Sequence, residues 1–391
     1  MARIGDTIEL SLIKQMELLA AHKRGVVSLA QGIPSFDTPD VIKRRVCEAV
    51  IQGKVAAYSL TPGLPELREY IEEKLETDGM FYDWETEILV TAGSIEGITA
   101  TLMTLLEPGD EVMIVSPSYT SYVQAIKVAR GVPIFVPLRE DVDWRFSLDE
   151  LRQRISPRTR AILLCNPNNP TGTIISRHDL LALAEIAEQY NLTIISDEVY
   201  KDFIYDEQAR LSFFTLASIR ALRQRVVRVF SFSKSYAMTG WRVAYLHTDR
   251  SLAQSILKVH DSLVTCAPVI SQYAALAALE MPGEEFKPYR DEYEARRDLV
   301  CVCLDRLQQF VSYVRPVATY FIFPRLKIDA INGYNGSLAL ARDLIEQAGV
   351  AIVPGIAFGP EGEDHLRLSF GRSRSDINEG LKRLSAYFQS L

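Results

Sequence analysis

Residues 226–242 read VVRVFSFSKSYAMTGWR and place one lysine, Lys234, just beyond an apolar run. The run at 226–230 is short and rich in valine, which is typical of a strand covered on both faces of a parallel sheet. Lysine is seldom buried without a partner, so its position at the end of such a strand is unusual. The segment therefore indicates a parallel sheet with an unusual amine at its edge.

Four other apolar runs share this character and alternate with segments of helical period. They lie at residues 87–91, 111–116, 160–165 and 192–196. Strand-helix alternation of this kind predicts an α/β fold with a mostly parallel central sheet. The residues after about 285 combine a charged helix with alternating stretches, which indicates a smaller α+β unit. We therefore expect a large α/β domain at 45–284, and a small domain formed by 1–44, with an N-terminal arm, and 285–391.

Composition and charge narrow the classes of function. The chain has 391 residues, of which 48% are hydrophobic and 24% charged, as in ordinary globular proteins. A net charge of −7 without a long basic run disfavours binding to nucleic acid or to anionic membranes. The five cysteines show no metal-site or disulfide spacing, and no signal-peptide or membrane-span pattern is evident. We therefore expect a cytoplasmic protein without a metal, nucleic-acid or membrane partner.

Polar residues follow each predicted strand at its carboxyl end, where open α/β sheets bind ligands. Gly93 and Ser94 open a helix and could bind an anion such as phosphate, or could simply cap that helix. Arg242 could add a second anion ligand or remain solvated. Asp197 requires a positive or hydrogen-bonding partner, which could be a protonated heterocyclic nitrogen, a local salt bridge or a helix cap.

Other side chains at this edge are suited to an aromatic ligand. Tyr200 and Asn169 can each hydrogen-bond a phenolate-like oxygen, and the ring of Tyr119 could stack, although core or turn roles remain open. A buried Lys234 beside other cations favours its neutral amine, which is a nucleophile for carbonyls. An amine, a carboxylate, a phosphate site and a stacking ring together indicate pyridoxal 5′-phosphate (PLP).

Motifs along nearly the whole chain resemble class I/II aminotransferases of PLP fold type I, the aspartate aminotransferase superfamily. They are AQGIPSFDTP near residue 30, YSLTPGLPELREY near 58, VTAGSIEG near 90, SPSYTSY near 116, NPNNPTG near 166, SDEVY near 196, SFSKSYAMTGWR near 231 and HLRLSF near 365. The resemblance implies a three-layer α/β large domain with a smaller α+β domain. It also implies ping-pong exchange of an amino group between an L-amino acid and a 2-oxo acid.

The resemblance also implies roles for the residues around the PLP ring. Lys234 would form the Schiff base and then move a proton between the substrate Cα and the cofactor C4′. Asp197 would hold the pyridine nitrogen protonated. Asn169 and Tyr200 would hydrogen-bond the 3′-oxygen, and Tyr119 would stack on the ring.

Phosphate and substrate binding are assigned in the same way. The implied phosphate ligands lie at Gly93, Ser94, Ile95, Ser231, Ser233 and Arg242. Tyr58 would reach the phosphate from a partner subunit, which implies a homodimer with shared active sites. Arg367 would bind the substrate α-carboxylate, helped by Gly32 and Asn169. The alternation at 366–370 sets Arg367 apart from the apolar face of its strand, although an exposed strand arginine remains an alternative.

The resemblance defines the preferred substrate less clearly. Bacterial-type aspartate aminotransferases can carry a lysine where this chain has Ile95, so an aromatic or broad-specificity enzyme with 2-oxoglutarate and glutamate is favoured. Residues 261–268 and the SPSYTSY motif resemble archaeal-type aromatic aminotransferases. Phe36, Tyr320 and Phe321 are candidate pocket aromatics or ordinary core residues. An aspartate aminotransferase and a PLP-dependent C–S lyase remain alternatives.

Overall fold

A computed structural model describes residues 4–282, 286–331 and 333–391. Its helices are α1 Ile4–Thr7, α2 Leu12–His22, α3 Asp40–Ile51, α4 Pro65–Thr77, α5 Ser94–Leu105, α6 Ser121–Val128, α7 Leu148–Arg154, α8 Arg177–Gln189, α9 Glu207–Leu211, α10 Phe232–Ser235, α11 Arg250–Val264, α12 Val269–Leu279, α13 Lys287–Arg306, α14 Ser337–Asp343 and α15 Arg374–Gln389. The predicted domain boundary at residues 284 and 285 lies outside the described residues.

The strands fall into one large sheet and several small ones. In chain order they are β1 Val27–Ser28, β2 Ile88–Thr91, β3 Glu111–Ser116, β4 Val132–Arg139, β5 Arg145–Phe146, β6 Thr159–Cys165, β7 Thr193–Asp197, β8 Val226–Ser231, β9 Ala244–His247, β10 Val311–Ser312, β11 Phe321–Ile322, β12 Arg325–Leu326, β13 Val350–Ala351, β14 Val353–Pro354 and β15 Leu366–Ser369.

Within the described residues, the large sheet has eight strands in the order β2-β9-β8-β7-β6-β3-β4-β5. The strands from β8 through β4 pair in parallel. Strand β9 is antiparallel to both β8 and β2, so β2 points in the same direction as the parallel strands. Strand β5 is antiparallel to β4 at the other edge. The prediction of an α/β fold with a mostly parallel central sheet is confirmed.

Burial explains why the sheet strands read as continuous apolar runs. Every residue of β2, β3 and β8 is buried, as expected where helices cover both faces of a sheet. Several helices begin at a residue whose side chain caps the first turn. Ser176 Oγ, for example, accepts a hydrogen bond of 3.1 Å from the Asp179 backbone N–H at the start of α8.

The small sheets combine both ends of the described chain. Strand β15 lies between β11 and β14 and is antiparallel to both, while β1 pairs in parallel with β13. Helix α2 packs against β13 and β14. The residue after β1, Leu29, accepts a hydrogen bond of 2.8 Å from the Ser369 backbone N–H, so this part of the chain runs beside the strand that carries Arg367. Within the described residues, no helix is long and apolar enough to cross a lipid bilayer.

Candidate active site

A cavity of about 520 Å³ opens at the carboxyl ends of the parallel strands. These strand ends meet at one edge of the sheet, so they bring together residues that are far apart in the chain. The predicted site residues that line the cavity are Gly32, Ser94, Ile95, Tyr119, Asn169, Asp197, Tyr200, Ser231, Ser233, Lys234, Arg242 and Arg367. The structure thus collects most of the predicted residues at one place.

Lys234 lies in the single turn of α10, directly after β8. Ser231 Oγ caps this turn by accepting a hydrogen bond of 3.1 Å from the Ser233 backbone N–H. Lys234 Nζ donates to the Gly32 carbonyl at 2.8 Å, and Tyr320 Oη donates to the same oxygen at 3.1 Å. The backbone reaches this amine because residue 32 is glycine: a Cβ there would lie 2.5 Å from Cζ of a neighbouring phenylalanine ring.

The surroundings of Lys234 favour its neutral amine. Burial is the largest cause, and the nearby positive charges of Arg367 and Arg242 add to it, so that the pKa of Lys234 falls to about 7 from its usual value of 10.5. The Asp197 carboxylate opposes this shift without reversing it. At neutral pH a large fraction of the amine is therefore unprotonated and nucleophilic.

Asp197 ends β7 and is only 3% exposed. Its Oδ2 accepts a hydrogen bond of 2.7 Å from Tyr122 Oη, and its Oδ1 accepts one of 3.3 Å from the Val199 backbone N–H. Burial raises the pKa of Asp197 to about 6, although the hydrogen bond from Tyr122 works in the other direction. Burial beside this carboxylate holds the pKa of Tyr122 well above its usual value, so Tyr122 remains a donor.

Tyr122 is a site residue that the sequence analysis missed. It follows Tyr119 by three positions in SPSYTSY, and α6 begins between them at Ser121. That spacing places two tyrosines on neighbouring turns and was the available signal. Their rings meet edge to face at 5.4 Å between centroids, and both line the cavity.

Arg367 on β15 is 1% exposed, so the alternative of an exposed strand arginine is wrong. Its Nη1 donates to Asn169 Oδ1 at 3.3 Å, and its Nη2 donates to the Ala30 carbonyl. The guanidinium lies 4.3 Å from the ring centroid of Phe321. Asn169 Nδ2 in turn lies 3.5 Å from Tyr200 Oη. The cavity is therefore lined by the buried guanidinium of Arg367, which stays charged, with the Asn169 amide beside it.

The opposite end of the cavity is suited to an anion. Helix α5 begins at Ser94, so its unpaired N–H groups and its positive dipole end face this region. Gly93 has a φ of 89°, and a Cβ at this position would overlap Nη2 of Arg242. The Arg242 side chain is exposed in the single chain and also donates to the Thr239 carbonyl at 3.1 Å. A guanidinium and a helix N-terminus therefore lie together.

Some predicted residues lie elsewhere, and some lining residues were not predicted. Tyr58 is 84% exposed and does not line the cavity of this chain. Phe36 packs edge-on against Tyr289 and Tyr293, as its core alternative requires. The N-terminal segment contributes further lining residues that were not predicted: Ser11, Ile13 and Lys14, together with Gln31 and Ile33 of the AQGIPSFDTP motif.

Known proteins match the chain along almost its whole length. A family model for aminotransferase class I and II matches residues 24–384. The chain belongs to the class I and II aminotransferases. It is 35% identical over 387 residues to aromatic-amino-acid aminotransferase 2 of Thermococcus litoralis, covering 97% of each chain. It is also 35% identical over 382 residues to an aspartate aminotransferase of Pyrococcus abyssi, covering 97% of this chain and 96% of the relative.

Solved structures agree with this assignment. The crystal structure of the aromatic aminotransferase from Pyrococcus horikoshii superposes on this aminotransferase with a TM-score of 0.88 at 34% identity. The match covers 96% of this chain and 99% of that one. Members of the family use PLP, and this enzyme is a PLP-dependent aminotransferase.

The residues of the cavity fit PLP on their own chemistry. The N-terminus of α5 with Arg242 would hold the phosphate, and Lys234 would face the aldehyde. The buried carboxylate of Asp197 would meet the ring nitrogen, which needs a negative partner when protonated. A Cβ at residue 93 would overlap the Arg242 side chain and fill the phosphate end of the cavity, so this position requires glycine.

Proposed function

We propose that this aminotransferase exchanges an amino group between an L-amino acid, of aromatic or broad specificity, and a 2-oxo acid such as 2-oxoglutarate. The proposal rests on one observation: a single cavity holds a lysine with a pKa near 7, a buried carboxylate and a buried arginine. The two relatives named for aromatic amino acids and for aspartate support this range of substrates.

Each of the three groups has a part in the proposed ping-pong reaction. When bound, PLP supplies an aldehyde that links to amines and a ring that withdraws electrons from the substrate Cα. Lys234 Nζ would hold the aldehyde end of the cofactor, and its amine would take the proton from the substrate Cα and deliver it to the cofactor C4′. Asp197 would pair with the protonated ring nitrogen, so that the ring could accept the negative charge that develops at Cα. Arg367 binds the substrate α-carboxylate in a bidentate manner and orients Cα toward Lys234.

The remaining wall of the cavity supports an apolar or aromatic substrate side chain. The apolar lining residues include Ile13, Ile33, Ile95 and Phe321. Ile95 occupies the place where a lysine would favour dicarboxylates. An aspartate aminotransferase remains the second candidate because a relative of equal identity carries that name. A C–S lyase would use the same lysine and ring acid, and no relative reported above is named for it.

We further propose that the enzyme is a cytoplasmic homodimer in which Tyr58 of the partner subunit reaches the phosphate. Large apolar side chains near this tyrosine are exposed in the single chain, with Ile51 at 85% and Leu60 at 61%, as expected for an interface. The five cysteines are free, in keeping with a reducing compartment. The division into 45–284 and 1–44 with 285–391 is supported by the large sheet, whose strands all lie within residues 88–247.

A half-reaction screen tests the substrate assignment. Each amino acid is mixed with the PLP-loaded enzyme, and loss of the visible absorbance of the Lys234-linked cofactor is followed in time. We expect fast loss with phenylalanine, tyrosine and glutamate. Reaction with aspartate and glutamate alone would favour the aspartate aminotransferase, whereas release of pyruvate and ammonia from cystathionine without a 2-oxo acid would favour the lyase.

A further inference from the structure

The active-site cavity contains one cation that the proposed reaction leaves unused. Four cationic side chains line it among the described residues: Lys14, Lys234, Arg242 and Arg367. Lys234 serves the aldehyde, Arg242 the phosphate and Arg367 the substrate α-carboxylate. Lys14 is therefore available for a further negative charge on whatever occupies the cavity.

Lys14 lies on α2, the helix that packs against the strands next to Arg367. It belongs to the first turn of α2, and α2 packs against β13 and β14. Strand β14 pairs with β15, where Val353 lies opposite Arg367. Glu17 lies one turn further along α2. Burial lowers the pKa of Arg367, and the negative charge of Glu17 is near enough to raise it in part. The same helix thus faces the arginine that receives the substrate.

The ammonium group of Lys14 has no ion-pair partner among the residues that the structure describes, and the side chain is exposed. The cavity has one acidic lining residue in the described chain, Asp197, which already accepts hydrogen bonds from Tyr122 and Val199. The position where a dicarboxylate-specific lysine is expected carries Ile95, so Lys14 is the cation left for a second carboxylate.

We propose that Lys14 binds the distal carboxylate of a dicarboxylic amino acid or 2-oxo acid, such as glutamate or 2-oxoglutarate, while Arg367 binds the α-carboxylate. This inference rests on the aminotransferase reaction proposed above. Lysine carries its charge on a flexible four-carbon stem, so Lys14 can turn toward solvent when an aromatic side chain enters. One cavity then accepts both an apolar amino donor and a dicarboxylic acceptor.

Binding of two non-reacting acids to the PLP-loaded enzyme tests the proposal. Glutarate carries the second carboxylate and 3-phenylpropanoate carries a ring instead, and each is titrated through its effect on the absorbance of the bound cofactor. For Lys14→Met we expect the Kd of glutarate to rise roughly 10- to 100-fold, the range for loss of one charged hydrogen bond. The Kd of 3-phenylpropanoate should stay within about twofold, and Lys14→Arg should retain most of the glutarate affinity.

A matched control separates this effect from a general loss of positive charge. Lys382 on α15 is exposed and does not line the cavity, so Lys382→Met should change neither Kd. Equal losses for the two acids in Lys14→Met, or an unchanged Kd for glutarate, would overturn the role of Lys14. Half-reactions of the wild-type enzyme with glutamate and phenylalanine test the substrate proposal separately. Failure with phenylalanine, combined with Lys14-dependent glutarate binding, would refute aromatic specificity and support Lys14.

Discussion

Replacing Tyr122 by phenylalanine removes one hydrogen bond from Asp197 and keeps the aromatic ring. The two side chains are 1% and 3% exposed, and their oxygens lie 2.7 Å apart. The second donor to this carboxylate in the described chain, the Val199 N–H, is longer at 3.3 Å. The variant therefore loses the shorter of the two hydrogen bonds without creating a cavity larger than one hydroxyl group.

The size of the effect follows from the charge of the acceptor. A hydrogen bond to a charged group contributes about 1.5–3 kcal/mol. At 1.36 kcal/mol for each pKa unit, its loss should raise the pKa of the Asp197 carboxyl by about one to two. This pKa is about 6 in the unaltered protein, so the variant carboxyl would be largely protonated near pH 7. We expect PLP to bind roughly twofold to tenfold more weakly at that pH, because only the ionised fraction of the carboxyl can pair with a protonated ring nitrogen.

The assay is equilibrium binding of PLP to the cofactor-free protein at several pH values between 5.5 and 8.5. The deficit of Tyr122→Phe should be large below the raised pKa and should shrink toward pH 8.5, where the carboxyl ionises even without Tyr122. Tyr82→Phe is the matched control, because the buried Tyr82 hydroxyl donates to the Ala217 carbonyl at 3.0 Å away from the cavity. A deficit that does not depend on pH, or one equal to that of the control, would refute the reasoning.

Three further predictions concern other groups of the site. Lys234→Ala should leave no cofactor attached to the chain after borohydride reduction, as judged by protein mass, and transamination should fall by several orders of magnitude. Because the pKa of Lys234 is lowered to about 7, half of its amine is neutral at that pH and most of it is neutral about one pH unit higher. The rate at which the cofactor-free protein captures PLP should therefore rise through pH 7 and level off about one pH unit above it, whereas a rise continuing to about pH 10 would contradict the lowered pKa. Gly93→Val should weaken PLP binding by roughly tenfold or more, because a valine is strained at a φ of 89° and its Cβ would overlap Arg242. Unchanged affinity in a direct titration would argue against a phosphate site between Gly93 and Arg242.

Local sequence pattern was sufficient for five strands of the large sheet but not for β4, β5 and β9. The five predicted strands all exist, within about two residues at each end. Strand β4 was missed because Pro133 and Pro137 argue against a strand. The structure accommodates both prolines because only one side of β4 is paired along most of its length. That side pairs with β3, whereas β5 pairs only with Leu138 and Arg139 on the opposite side. Strand β9 was missed because four residues in an antiparallel position carry too little pattern.

The candidate site was predictable where residues follow strands, and it was not predictable where distant segments meet. Asp197, Asn169 and Lys234 could be placed together because parallel strands end at one edge. The Gly32 carbonyl that accepts from Lys234 comes from 202 positions away, and the Ala30 carbonyl that accepts from Arg367 from 337 positions away. Such contacts depend on how α2 and the small sheets pack, and the local periodicity of the sequence does not predict that packing.

The Ala30 carbonyl has a consequence for selectivity. Arg367 already donates to this neutral backbone acceptor, so an incoming molecule must offer the guanidinium a stronger acceptor in order to displace it. A carboxylate does so, because charge-assisted hydrogen bonds are about twice as strong as neutral ones. An ester, an amide or a simple amine offers no acceptor that outcompetes a carbonyl. With Arg367 in its proposed role, the Ala30 carbonyl would compete with the substrate for this guanidinium and would favour free carboxylic acids over esters and amides.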